Sequence, residues 1–155
     1  MVKNCMKTKV VSLSNSSSIL EAAALILKHH IGLLPVVDEQ QILLGIVSLQ
    51  DLLEIELPAI LPLIDDLDFL TNFGAIETTR PSIERVNRPV SELMEKPTFV
   101  YEDSGLLFAY ALMIKHALYD LPVVTREMKL VGIVSRVDIA VNVLSGWKQI
   151  KDITP

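Results

Sequence analysis

The chain states one passage twice. Slid by 87 positions, so that Leu34 lands on Leu121, the residues Leu20, Ala22, Ala24, Leu25, Lys28 and His29 fall on Leu107, Ala109, Ala111, Leu112, Lys115 and His116. Leu34-Pro35-Val36-Val37 then falls on Leu121-Pro122-Val123-Val124, Gly45-Ile46-Val47-Ser48 on Gly132-Ile133-Val134-Ser135, and Asp51 on Asp138. The register does not slip between Leu20 and Asp51. Further upstream "VKNCM" from Val2 parallels "VSELM" from Val90, with the offset changed by one. A passage written twice in fixed register has to fold twice, and each copy, too small to hide its own apolar face, is expected to bury it against its twin.

Within a copy the pattern changes from helical to extended. Ser18 to Glu21 spells S-x-x-E, a capping box before an apolar helix, and Lys28, His29 and His30 put basic groups where the helix dipole favours them, so the helix is expected to reach about Ile31. Leu34 to Val37 is a β-branched run suited to a buried strand, "DEQQ" a turn, and Ile42 to Val47 a second strand. Ser48 to Asp51 spells S-x-x-D at a further helix start. With Val10 to Leu13 as a first strand, each repeat reads β-α-β-β-α, an α/β (α+β) fold in which two repeats pack through their sheets by pseudo-twofold symmetry. Residues 1–56 are taken as the first repeat, 57–88 as a linker, 89–147 as the second, and 1–155 together as one pair.

At 155 residues, half of them hydrophobic, such a domain can bury roughly 70% of the surface of its unfolded chain. The net charge is -5 and no block of Lys or Arg exists, so a nucleic-acid partner is not expected, although a single nucleotide needs only a local pocket. Cys5 is the one cysteine, which excludes an internal disulfide and fits a reducing compartment. The start "MVKNCMKTKV" lacks the apolar core of a signal peptide, and "IELPAILPLI" from Ile55 is too short and interrupted to span a bilayer. A soluble, cytoplasmic protein without a membrane span is expected.

The repeats resemble a known family, the tandem CBS domain or Bateman module. "SILEAAALILKHHIGLLPVVDEQQILLGIVSLQDLL" and "SGLLFAYALMIKHALYDLPVVTREMKLVGIVSRVDIA" each carry the family's h-P-V-V strand followed by G-h-V-S-x-x-D. The resemblance covers nearly the whole chain apart from the linker. It implies that the closing motif holds the sugar and phosphate of an adenosine ligand while the first strand and the h-P-V-V strand sandwich the base. It also implies flat disc-like homodimers formed through the helices that flank the clefts.

The chemistry of the motif agrees. A helix N-cap such as Ser48 or Ser135 presents outward backbone N–H groups and a dipole that favour an anion. Asp51 or Asp138, one turn on, offers two acceptor oxygens to a vicinal pair of ribose hydroxyls. Gly45 or Gly132 lets a ligand or a backbone come close. S-x-x-D is equally an ordinary capping box, and stabilising a helix is reason enough for it.

The two sites are not equivalent. Arg136 follows Ser135, whereas Leu49 follows Ser48, so the second site is favoured, with Thr98, Val100, Leu121 and Pro122 around the base and Ser135, Arg136 and Asp138 at the ribose and phosphate. The weaker first site comprises Leu13, Leu34, Pro35, Ser48 and Asp51. The basic residues that the family often places before h-P-V-V are replaced by Gly32 and Leu33 in one repeat and by Tyr119 and Asp120 in the other. Asp120 is expected to face the first site and repel phosphate. AMP or ADP is therefore the expected ligand, with ATP or S-adenosylmethionine as other candidates and no required cofactor.

His29, His30 and His116 are read as compensating helix dipoles, since no carboxylate or Cys completes a metal set; a phosphate contact from His30 is the other reading. Asp65, Asp66 and Asp68 are read as a solvated turn or helix cap rather than a Mg²⁺ site. The stripe Leu57, Ile60, Leu61, Ile64 and Leu67 in the linker is expected to pack on its own module, a second copy or an effector protein. Trp147 and Met113 are assigned to core or interface. No nucleophile, base and orienter come together, so no enzyme is expected. The expected function is a regulatory module sensing an adenosine nucleotide. The alternatives are a structural dimerisation module with empty clefts, and a regulatory fragment of a larger enzyme or transporter.

Overall fold

A computed structural model describes residues 1–55 and 80–147. The first repeat contributes β1 (Leu13–Ser14), α1 (Ile19–His29), β2 (Leu33–Val37), β3 (Leu43–Ser48) and α2 (Leu49–Leu53). A short α3 (Ile83–Val86) precedes the second, which contributes β4 (Val100–Tyr101), α4 (Leu106–Lys115), β5 (Asp120–Val124), β6 (Leu130–Ser135) and α5 (Arg136–Leu144). Each repeat makes one three-stranded sheet, ordered β1-β2-β3 and β4-β5-β6, the first pair parallel and the second antiparallel. The order β-α-β-β-α expected from the sequence is present in both.

The local chemistry places the boundaries. Ser18 and Glu21 close the capping box: the Glu21 carboxylate accepts from the Ser18 amide at 2.7 Å while the Ser18 hydroxyl accepts from the Glu21 amide at 3.1 Å. α1 ends at His29, short of Ile31, because His30 turns left-handed at φ 51°, and Ala117 does the same at φ 54° in the second repeat. β2 is buried along its whole length, as a strand covered on both sides should be, while its mate β3 is half-buried at Leu44 and Ser48.

The first strand is shorter than Val10 to Leu13. Only Leu13 and Ser14 pair with β2, because the chain ahead of them belongs to the other sheet. The Val2 amide donates to the Ser104 carbonyl at 2.9 Å, and Lys7 and Ile133 exchange backbone bonds of 2.8 and 2.9 Å. The second repeat returns the arrangement: the Val90 amide donates to the Ser17 carbonyl at 2.7 Å, and Glu95 and Ile46 exchange bonds of 3.0 and 3.2 Å. Val2 is thus buried among Val100, Met113, Leu121, Val134 and Ile139, while Val90 is buried among Leu13, Ile26, Leu34 and Val47. Each repeat lends its leader to the other's core.

A second symmetric contact joins the two β-turns. The Leu43 amide donates to the Met128 carbonyl at 3.0 Å and the Leu130 amide to the Gln41 carbonyl at 2.9 Å. Gln41 and Met128 both sit at positive φ, 66° and 65°. These bonds and the exchanged leaders fix the two sheets against one another.

Candidate functional site

Each site is a corner where a strand ends and a helix begins. At the second corner the Ser135 hydroxyl accepts from the Asp138 amide at 3.0 Å and donates to Asp138 Oδ2 at 2.6 Å, while the Ser135 amide donates to the same oxygen at 2.9 Å. At the first, Ser48 and Asp51 repeat the pattern with bonds of 3.2, 2.7 and 2.6 Å. Both S-x-x-D motifs are therefore working capping boxes. Each box uses one carboxylate oxygen, and at Asp138 the other, Oδ1, lies 3.4 Å from Lys7 Nζ.

The amides at the corner are less open to an anion than an N-terminus ordinarily is. The Arg136 amide donates to the Tyr119 carbonyl at 2.9 Å and the Asp138 amide to Ser135 Oγ; at the first corner the Leu49 amide donates to Gly32 at 2.8 Å. The Arg136 side chain is also occupied. Its Nε and Nη2 donate to the carbonyls of Leu118 and Met113 at 2.9 and 3.1 Å, and its guanidinium lies 4.4 Å from the centre of the Tyr119 ring. The Met113 carbonyl lies in the last turn of α4 and also accepts from the Leu118 amide at 2.8 Å, while Leu118 lies just beyond the helix, so Arg136 ties the end of α4 to the start of α5.

Charge at the second corner comes from both repeats. Partial burial pushes the Asp138 carboxyl up, but the hydrogen bonds from Ser135 and the nearby Lys7 together hold it below the ordinary carboxylate value. Asp120, cross-strand neighbour of Ser135, goes the other way: burial raises it, Lys7 offsets part of that, and Asp138 adds to it. Its Oδ2 also lies next to Gly32, 3.7 Å from where a Cβ would be. Asp120 was expected to act on the first site; its listening partners are Asp138 and Lys7, so its charge bears on the second site too. Burial raises the Cys5 thiol as well, with Asp138 contributing.

The apolar residues assigned to the base are core residues here. Val100, Leu121 and Pro122 are buried at the second site and Leu13, Leu34 and Pro35 at the first, while Thr98, Ser48, Asp51, Ser135, Arg136 and Asp138 keep part of their surface in solvent. Gly45 and Gly132 make room for the crossing leader: an added Cβ would come within 2.8 Å of Glu95 O and Met94 Sδ at one, and 2.6 Å of Met6 Sδ at the other. The crossing leader occupies the space foreseen for a ligand or a backbone.

His29, His30 and His116 are exposed, and no group of three His, Cys, Asp or Glu suited to a metal exists among the described residues. Asp65, Asp66, Asp68 and the stripe from Leu57 to Leu67 lie outside those residues. Met113 is in the core, and Trp147 is exposed. A hollow of about 130 Å³ lined by Lys3, Tyr101, Glu102, Asp103, Val124 and Arg126 includes none of the expected site residues, and its Arg126 is spent on Asp103 at 2.6 Å. No described helix is long and apolar enough to cross a membrane. The residue that sequence reasoning missed is Lys7. Extending the match of "VKNCM" with "VSELM" by one place sets it opposite Glu95, a charge contrast that by itself names no contact.

The family model described as the CBS domain matches residues 2–57 and again residues 90–145. The chain belongs to the CBS domain family. Both matches begin with the exchanged leader, so the CBS unit here is contiguous in sequence and interlocked in space. This CBS pair is 33% identical over 150 residues to the CBS domain-containing protein YhcV of Bacillus subtilis, covering 93% of this chain and 86% of that one. Among solved structures it is similar to CBSX2 in complex with AMP, at 27% identity and a TM-score of 0.70, covering 97% of both chains. It is also similar to a putative acetoin utilization protein, AcuB, from Vibrio cholerae, at 27% identity and a TM-score of 0.69, covering 99% of this chain and 96% of that one.

Proposed function

We propose that this CBS pair is a non-catalytic regulatory module whose second cleft takes an adenosine nucleotide, with AMP or ADP favoured over ATP or S-adenosylmethionine. The observation that carries the reading is Asp138: its Oδ2 is held by the capping box, and its Oδ1, paired among the described residues only with the exposed Lys7 ammonium at 3.4 Å, is the acceptor we assign to a ribose diol. The similarity to CBSX2, a CBS pair in complex with AMP, supports the same choice.

The base is proposed to lie along Thr98, above Val100, Leu121 and Pro122. Those three are covered, so seating a ring against them requires the half-buried residues above to part. Binding would then favour an opened arrangement of β4 and β5 over the closed one. That difference in affinity between arrangements is what a regulatory ligand needs. The leader bonded to β6 carries the change to the first repeat.

Readout is assigned to a homodimer, with an effector protein or domain responding to it. Leu107, Phe108 and Ile114 on α4 and Val137 and Val141 on α5 are large apolar residues left in solvent, on the helices next to the favoured cleft. The free Cys5 fits a cytoplasmic location.

A thermal shift tests the ligand. AMP at a hundredfold excess over its dissociation constant adds about 2.7 kcal/mol of stability, which is a rise of several degrees in Tm. Asp138→Asn is expected to abolish the rise. If AMP, ADP, ATP and S-adenosylmethionine all leave the melting curve where it was, the sensing role fails and a structural dimerisation module takes its place.

A further inference from the structure

A nucleotide whose ribose rests on Asp138 needs a cation for its phosphate, and the obvious donors at this corner are committed. Arg136 is bonded to two carbonyls and stacked on Tyr119, and the amides of Arg136 and Asp138 already have acceptors. Lys7 is not committed in this way. Its ammonium lies 3.4 Å from Asp138 Oδ1 and 66% of its side chain is exposed, so a four-carbon stem can carry the charge from the carboxylate to a phosphate nearby without disturbing the core.

We propose that Lys7, lent by the first repeat, is the phosphate-binding residue of the second cleft, and that Glu95, standing in the same place over the first sheet, closes that cleft to nucleotides. The equivalence is structural: Lys7 exchanges two backbone bonds with Ile133, Glu95 exchanges two with Ile46, and Ile46 and Ile133 are the same position of the repeat. One cleft therefore receives an ammonium where the other receives a carboxylate. The first cleft also has Leu49 in place of Arg136, so its motif supplies no cation to offset Glu95. In the second, Asp120 and Asp138 stand against the Lys7 ammonium, which limits the phosphate charge the cleft can hold and favours a monophosphate.

The assignment rests on the adenosine-nucleotide reading, and calorimetry of the full chain with AMP and with adenosine separates the two. The wild-type chain is expected to bind one AMP, more tightly than adenosine. Lys7→Gln weakens AMP about ten-fold, the scale of one charge-assisted hydrogen bond, and leaves adenosine within about two-fold, while Lys7→Arg keeps AMP binding. Glu95→Lys raises the stoichiometry to two AMP per chain. Adenosine and AMP both bound, with Lys7→Gln weakening them equally or leaving AMP untouched, overturns the role of Lys7 alone. Stoichiometry that stays at one in Glu95→Lys overturns the role of Glu95. A wild-type chain that takes up neither ligand overturns this assignment together with the reading beneath it.

Discussion

Asp120 and Asp138 share one corner and respond to protons in opposite senses. The folded-state value of Asp138 is depressed, so its contribution to stability is present above its unfolded value and is lost as pH falls through the folded one. The folded-state value of Asp120 is raised, so its contribution is present at low pH and lost as pH rises through that value. At neutral pH Asp120 is a charge the fold would rather not hold. Asp120→Asn is therefore expected to raise Tm at pH 7, and the gain should shrink as pH falls into the carboxylate range; a Tm lowered at pH 7 would mean that the carboxylate makes a bond outweighing its burial. Ser135→Ala should cost about 0.5–2 kcal/mol in denaturant unfolding, the scale of an N-cap. A change near zero there would show the capping box idle. Both capping boxes were legible because S-x-x-D brings its own geometry. Lys7 was not, since its contact with Asp138 spans the length of the chain and depends on where a leader crosses.

Helices and strands were legible where periodicity and β-branching are local properties: α1, β2 and β3 stand within a few residues of their expected places, and the second repeat follows by the 87-residue shift. The exception is β1, reduced to Leu13–Ser14 by a pairing that no local pattern announces. The glycines record the same crossing. At Gly45 an added Cβ meets a backbone oxygen, Glu95 O, at 2.8 Å, whereas at Gly132 the nearest atom is the mobile end of Met6 and the backbone oxygen of Lys7 is 3.1 Å away. Each Gly→Ala change should cost on the order of 1–3 kcal/mol, and Gly45→Ala should cost more than Gly132→Ala. Urea midpoints of the two variants decide it. Equal losses, or a larger one at Gly132, would contradict the packing of the leader on the two sheets.

At the scale of the molecule, two repeats packing through their sheets could be foreseen from a repeat that has one apolar face to hide. The exchange of leaders could not, because residues 2–7 can pack as well on their own sheet as on the other until the path of the chain is known. The exchange makes a prediction that a side-by-side pair does not. Val2→Ala should remove roughly 1.5–3 kcal/mol of burial, and the amides that lose hydrogen-exchange protection should be those of β5 and β6, in the second repeat, rather than those of β2 and β3. Val90→Ala should do the reverse. Protection lost in the variant's own repeat would contradict the interlock. The interlock also ties the proposed ligand corner of the second repeat to the first: the leader that carries Lys7 to Asp138 is the same segment that plugs the core with Val2.

The most direct test is a crystal structure of the full chain grown with AMP. It should show one nucleotide per chain, with the ribose hydroxyls on Asp138 Oδ1, the phosphate within reach of Lys7, and the corner at Ser48 and Asp51 without a nucleotide. A chain grown at saturating AMP with no nucleotide at Asp138, or with one held elsewhere, would contradict the account.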